Sequence, residues 1–426
     1  MRAPAPPRPR LPAAVGAVAA QAVLALGSFA LQLLAARALG AEGLGVFAML
    51  LGSAVIATAV SSGLVGDSLT VLDRHDPAIR SALARLAVAV VAGASGAALV
   101  LSWTLGDLPA GTAVLFAAAT AAFMTADLLR RVLMACQRFW HLVAVDCGAF
   151  VASMLLLSLL SGGGLSLGSF LSALLVGQVV ACAGCLRALP RRERRWPLRH
   201  RGAGRARALH AVLSFGSWRA VQQFVRPTTL NLVRWVVLVT VGQVAVGELE
   251  AARLFAAPAM LLVQGVGAYL FSSYAVGREE PMSALLRRAD RGATLLLGLC
   301  AVVAVAATAG APHLGTVLTA GRFDLATLAV LGWAVYAASC AVVLPYGTLA
   351  AVRGDQAKVL GLRVLDSLAG LGATAAALLW LGLPVSVAPW LLSAGSVAAG
   401  VVCRQCLLVP RCAERPEPST QPAVTS

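Results

Sequence analysis

Polar breaks divide the chain into twelve runs of mostly apolar residues. They lie at 12–36, 44–66, 82–104, 111–129, 139–160, 166–186, 212–241, 251–275, 292–312, 325–350, 359–381 and 385–403. A helix crosses a ~30 Å hydrocarbon core with about 20 such residues. The runs are too long and too uniformly apolar for the alternating ten-residue strands of a membrane barrel. The pattern therefore predicts an all-α polytopic membrane protein with twelve transmembrane helices. The first run exceeds the 7–15 residues of a signal-peptide core, so it reads as an uncleaved first span.

Composition agrees. Hydrophobic residues make up 59% of the 426, charged residues only 12%, and mean hydropathy is +0.84. A soluble domain carries about 25% charged residues. The net charge of +16 could suggest a nucleic-acid partner, but its distribution argues otherwise. All but one of the 34 basic residues are arginine, Lys358 being the exception. Twenty-eight basic residues fall in alternate breaks and in the two tails, while the opposite breaks hold only Arg37 and Arg322. Arginine in short loops marks the cytoplasmic side. Both termini are thus expected to be cytoplasmic, in a multi-pass protein of the plasma membrane.

The segment 188–208 is the one long hydrophilic interior stretch and divides the chain nearly in half. It reads as a basic linker held at the inner leaflet, where anionic lipid attracts arginine. The expected organisation is an N-tail at 1–11, an N-lobe at 12–187, the linker, a C-lobe at 209–405 and a C-tail at 406–426. The tail, rich in Pro, Ser and Thr, is expected to be disordered. A weak repeat supports two pseudo-symmetric six-helix lobes. Gly40 and Gly45 follow span one, and Gly242 and Gly247 follow span seven at an offset of 202 residues. Each pair opens the turn into the next span. Both halves start on the same side, so the repeat is parallel.

Charges inside spans are costly and mark candidate sites. Span seven is the most unusual. Arg219, Gln223, Arg226 and Arg234 fall on one face, within a wedge of ~80° and over ~22 Å of axis. That face is expected to line water or protein instead of lipid. Pro227 should bend the helix. Arg253 and Arg37 could add positive charge near the outer side. The functional reading is a cationic cavity, since the arginine fork suits phosphate; the bland one is arginines that snorkel to the interfaces. Asp146 and Asp366 read as counter-charges, ion-coupling carboxylates or partners in structural ion pairs. They are the only acidic residues expected at comparable depth. Asp67 and Asp127 read as interfacial. Cys182, Cys185, Cys403 and Cys406 form two Cys-x2-Cys pairs, but apolar helices use cysteine as a small hydrophobe, and no metal is expected. The nucleotide-binding and hydrolase motifs are missing, so neither a cofactor nor enzymatic activity is expected.

The stretch 33–70, LLAARALGAEGLGVFAMLLGSAVIATAVSSGLVGDSLT, resembles the region between the first two spans of polysaccharide flippases. These belong to the MATE-like multidrug/oligosaccharidyl-lipid/polysaccharide exporter superfamily. The family's Arg-x-Leu-Gly…Gly turn is matched by Arg37, Leu39, Gly40 and Gly45. The resemblance implies a V-shaped pair of lobes around a cationic cavity. It also implies transport of polyprenyl-pyrophosphate-linked oligosaccharide to the outer leaflet, as in lipopolysaccharide or exopolysaccharide export. Membrane lipids and polysaccharide assembly proteins would be its partners. Two alternatives stand beside it: an ion-coupled multidrug exporter of the same fold, and a membrane-embedded polyprenyl-phosphate glycosyltransferase or polymerase. Span one has no acidic residue of the kind related drug exporters carry. The loops are too short for a transferase's catalytic residues.

The orientation is directly testable. In a cysteine-free background, Gly163→Cys should react with an impermeant maleimide on intact cells, and Gly204→Cys only after permeabilisation. The opposite pattern would invert the topology.

Overall fold

The backbone of an apolar run has only itself to bond to, and nearly every described residue is accordingly helical. The structure, a computed structural model, describes residues 11–73, 75–104, 108–194, 205–276, 280–319, 326–353 and 355–413. The first helix, α1, runs Leu11–Ser61, passing through a single non-helical residue, Gly40, at φ 70°, ψ −170°. A straight helix of 51 residues would extend ~76 Å, over twice the hydrocarbon core. Its two limbs are thus the first two crossings. The loop expected between them is a one-residue break, which glycine allows because it lacks Cβ. A π-helical turn, Ser62–Gly66, and a short α2, Asp67–Val71, complete the second limb.

Then follow α3 (Pro77–Thr104), α4 (Ala110–Ala135), α5 (Phe139–Leu160) and α6 (Leu167–Ala188). Helix α6 starts where Ser166 Oγ accepts from the Ser169 amide at 3.4 Å, a side-chain cap for an otherwise orphaned donor. A four-residue α7 (Arg191–Arg194) leads away from it. The second half comprises α8 (Arg205–Thr240), α9 (Gln243–Val276), α10 (Met282–Thr319), α11 (Thr327–Val352), α12 (Gln356–Leu379) and α13 (Ala388–Val402). A π-helical Cys403–Leu408 and α14 (Val409–Ala413) end the described chain.

Among the described residues, nine helical stretches are long and apolar enough to cross a membrane. One of them, Ala19–Leu69, contains both limbs around Gly40. Helix α8 is not among the nine, because Arg219, Gln222, Gln223, Arg226, Asn231 and Arg234 lower its hydropathy. Two expectations need correction. Helix α8 begins at Arg205, inside the expected linker, whose residues 195–204 lie outside the described ones. The C-tail is helical to Ala413 instead of disordered from 406. Arg411 there forms an ion pair with Asp355 at 2.8 Å, and this pair ties the last helix to the turn before α12. Residues 1–10 and 414–426 are outside the described set.

Helices α1 and α3–α6 pack on one another, and so do α8–α13. The two groups meet where α1 lies against α8 and α9. The N-lobe's apolar core borrows from the C-lobe. Ala208 and Val212 of α8 join the cluster around Leu83 and Leu133, while Ala251 and Leu254 of α9 join that around Phe47 and Phe170. Glycines make the seam close. At the end where the repeat turns lie, a Cβ on Gly45 would meet the Gln243 carbonyl, and one on Gly247 the Ala41 carbonyl. Gly242, the counterpart of Gly40, also has positive φ, at 113°. At the opposite end Gly63 abuts the backbone of Ala220, and Gly216 that of Leu64.

Overpacking a close-packed contact costs ~1–3 kcal/mol. Gly247→Val should lower the thermal unfolding midpoint of the detergent-solubilised protein. Gly298→Ala, where a Cβ meets open space, should not. Equal midpoints for the two would mean the lobes are not in backbone contact at Gly247.

Candidate functional site

Helix α8 sets out its polar residues in three tiers. From Arg219 to Arg226 is ~10 Å along the axis, and from Arg226 to Arg234 ~12 Å. The chain runs helically through Pro227.

The inner tier joins the lobes. Arg219 Nε donates to Asp67 Oδ2 at 2.7 Å, and Gln223 Nε2 donates to the same oxygen at 2.9 Å. Arg131 of α4 approaches Asp67 Oδ1 at 3.3 Å and holds Asp127 at 2.9 Å. Ser62 Oγ donates to Asp127 at 2.6 Å. Asp67 is therefore no mere interfacial residue. The π-helical turn just before it changes the helical register, a device common at functional sites, and Asp67 faces α8.

The outer tier is built on a carboxylate that falls just outside the eighth apolar run. Glu250, 3% exposed, accepts from Arg234 Nε and Arg253 Nε, each at 2.7 Å. Arg253 also donates to Gln32 of the other lobe at 3.0 Å. Asn231 donates to Ser53 at 3.4 Å and accepts from Arg234 at 3.3 Å. Asp146 and Asp366 are thus not the only deep carboxylates, and the arginines of this tier have their counter-ion. Arg37 occupies an exposed position three residues before Gly40.

The middle tier differs. Arg226 Nη2 donates to Cys340 Sγ, and the guanidinium lies 5.6 Å from the centre of the Tyr336 ring. Tyr336 and Cys340 are buried residues of α11. The side chain thus points toward α11, although the residue as a whole is exposed. Arg363 of α12 interacts electrostatically with Arg226 and Arg219. Asp366 is the carboxylate that interacts with both Arg226 and Arg363, and Ser396 Oγ donates to it at 2.9 Å. Neither arginine forms an ion pair among the described residues. Two cations stand near one carboxylate, as in the outer tier, but here with no direct ion pair.

Asp146 sits elsewhere. It pairs with Arg130 at 2.9 Å, both carboxylate and guanidinium buried in the N-lobe, an arrangement suited to a structural ion pair. Of the Cys-x2-Cys pairs, Cys185 and Cys403 are buried and Cys406 is exposed. Arg363 escaped the sequence reading because it was counted with the arginines of the preceding loop. Its place four residues into span eleven was the signal available.

Comparison with solved structures identifies the architecture. A multidrug resistance MATE family transporter of the MOP superfamily, in its inward-facing conformation, superposes with a TM-score of 0.71 at 14% identity, over 94% of this chain and 98% of that one. The chain has the MATE fold. The outward-facing conformation of a multidrug resistance MATE transporter gives 0.65 at 14% identity, over 94% and 95% of the two chains. A MOP superfamily transporter from Pyrococcus furiosus, described as having a binding pocket of reverse polarity that suggests a different function, gives 0.62 at 12%, over 94% of each. No protein-family model and no curated protein sequence matches the chain.

Removing one partner of a buried ion pair costs ~3–5 kcal/mol, because the other is left charged. Glu250→Gln, which strands two arginines, should therefore unfold at a markedly lower temperature than the wild type. Arg253→Gln should have the smaller effect, since its side chain is 30% accessible. Equal effects would mean that Glu250 is hydrated.

Proposed function

We propose that the protein is a transporter that moves a polyprenyl-pyrophosphate-linked oligosaccharide from the inner to the outer leaflet for cell-surface polysaccharide synthesis. Its two lobes would alternate access around the α8 cleft. The observation that carries this reading is the positive charge of Arg226 and Arg363, which stand near Asp366 and form no ion pair among the described residues. An arginine against acyl chains costs at least ~2.5–3.5 kcal/mol. A permanent site with two such cations and one carboxylate is favourable if an anion visits it. A pyrophosphate supplies that anion, and the guanidinium fork binds it with two parallel hydrogen bonds. A cationic drug would meet repulsion there. The MATE fold supports transport, and the reverse-polarity Pyrococcus furiosus protein is a precedent within it for a departure from drug export.

The test is translocation in proteoliposomes. Undecaprenyl-pyrophosphate-linked oligosaccharide loaded in one leaflet should become accessible to a lectin on the other side. Arg226→Ala should reduce the rate at least tenfold, for loss of charge-assisted bonds worth ~1.5–3 kcal/mol. Arg226→Lys should retain part, keeping charge but losing the fork. Normal translocation by a correctly folded Arg226→Ala variant would refute the assignment. Ethidium efflux that survives this substitution would favour the drug-exporter alternative.

A further inference from the structure

The inner tier has the composition of an anion site. Three donors from two lobes, Arg219 Nε, Gln223 Nε2 and Arg131 Nη1, converge on one carboxylate, Asp67. Arg131 keeps a second carboxylate, Asp127, at 2.9 Å. Arg219 has no second carboxylate among the described residues; it donates to the neutral Gln222 Oε1 at 2.8 Å. Asp67 belongs to the N-lobe and Arg219 to the C-lobe, and their ion pair bridges the glycine contact of Gly63 with Ala220. Arg219 also lies within electrostatic reach of Arg363, a member of the middle tier.

We propose that the inner tier is a phosphate-binding site occupied, in the substrate-free protein, by the protein's own Asp67. An arriving phosphate or pyrophosphate replaces that carboxylate on Arg219 and Gln223. One anion takes the place of another on the same donors, and the phosphate, at about −2, brings more charge than the carboxylate it replaces. Asp67 remains beside Arg131 after it is displaced, so it does not become an unpaired carboxylate. The exchange removes the one ion pair that holds α8 to α2. Substrate arrival and loosening of the inner seam are then one event. The repeat-related positions, offset by 202, are Ala17 and Tyr269; with no charge there, the latch has no symmetric copy. The inference rests on the proposed substrate class for its ligand, but the latch itself does not.

The experiment uses the full chain in nanodiscs, with Cys136, Cys147, Cys182, Cys406 and Cys412 replaced and spin labels at His75→Cys and Ala357→Cys. These two exposed positions lie in the N- and C-lobes at the inner end. Without ligand, Asp67→Asn and Arg219→Gln should both broaden the inter-label distance distribution to longer values. Undecaprenyl pyrophosphate should produce the same change in the wild type. Asp67→Asn, freed of its competitor, should bind inorganic pyrophosphate about tenfold more tightly than the wild type; Arg219→Gln should bind it more weakly. Raising phosphatidylglycerol in the disc without pyrophosphate separates bilayer head groups from the lipid-linked anion as the source. Unchanged distances in both variants would overturn the latch, whatever binds. Wider distances in the variants with no tightening of pyrophosphate binding by Asp67→Asn would overturn the exchange. Failure of undecaprenyl pyrophosphate to bind, with inorganic pyrophosphate binding as expected, would refute the proposed function and leave the exchange supported.

Discussion

A guanidinium cannot be left bare in hydrocarbon, and the architecture around α8 follows from that constraint. Arg219, Arg226 and Arg234 are each met in a different way. Arg234 has a buried glutamate on the neighbouring helix of its own lobe. Arg219 has an aspartate on the other lobe. Arg226 has a sulfur, an aromatic face and a shared carboxylate. The first arrangement lies within a lobe, the second joins two, and the third has no direct ion pair. A single helix face thus carries an intralobe pair, an interlobe pair and the arginine of the proposed binding site.

The seam between the lobes depends on the absence of side chains. Gly45, Gly63, Gly216 and Gly247 let backbones approach where any Cβ would intrude. Small residues are the means by which membrane helices pack without a hydrophobic driving force. Close approach, in turn, brings Asp67 within reach of α8. The polar contacts across the seam include Arg219 and Gln223 with Asp67, Asn231 with Ser53, and Arg253 with Gln32.

Much of this was legible in the sequence. Length and uniformity of the apolar runs gave the helices, and the 202-residue offset of the glycine pairs pointed to equivalent turns. The polar face of α8 was also visible, because 3.6-residue periodicity needs no partner to be recognised. Partners were what the sequence hid. Glu250 sits one residue before an estimated span boundary, and that was enough to assign it to water. Asp67 was assigned to an interface because nothing local reveals that a helix from 150 residues away will lie against it. Arg363 was absorbed into a loop count. Each miss concerns depth or long-range pairing, which hydropathy along one chain does not encode.

The reversal at Gly40 uses a single residue, and the link between α8 and α9 only two, Val241 and Gly242. The described connections 161–166 and 380–387 on the arginine-poor side are also brief. Among the described residues that face carries little loop. Such loops offer little surface for reading a cargo's identity and few handles for antibodies or proteases. In the proposed outward transport, discrimination would be completed before the cargo reaches that side.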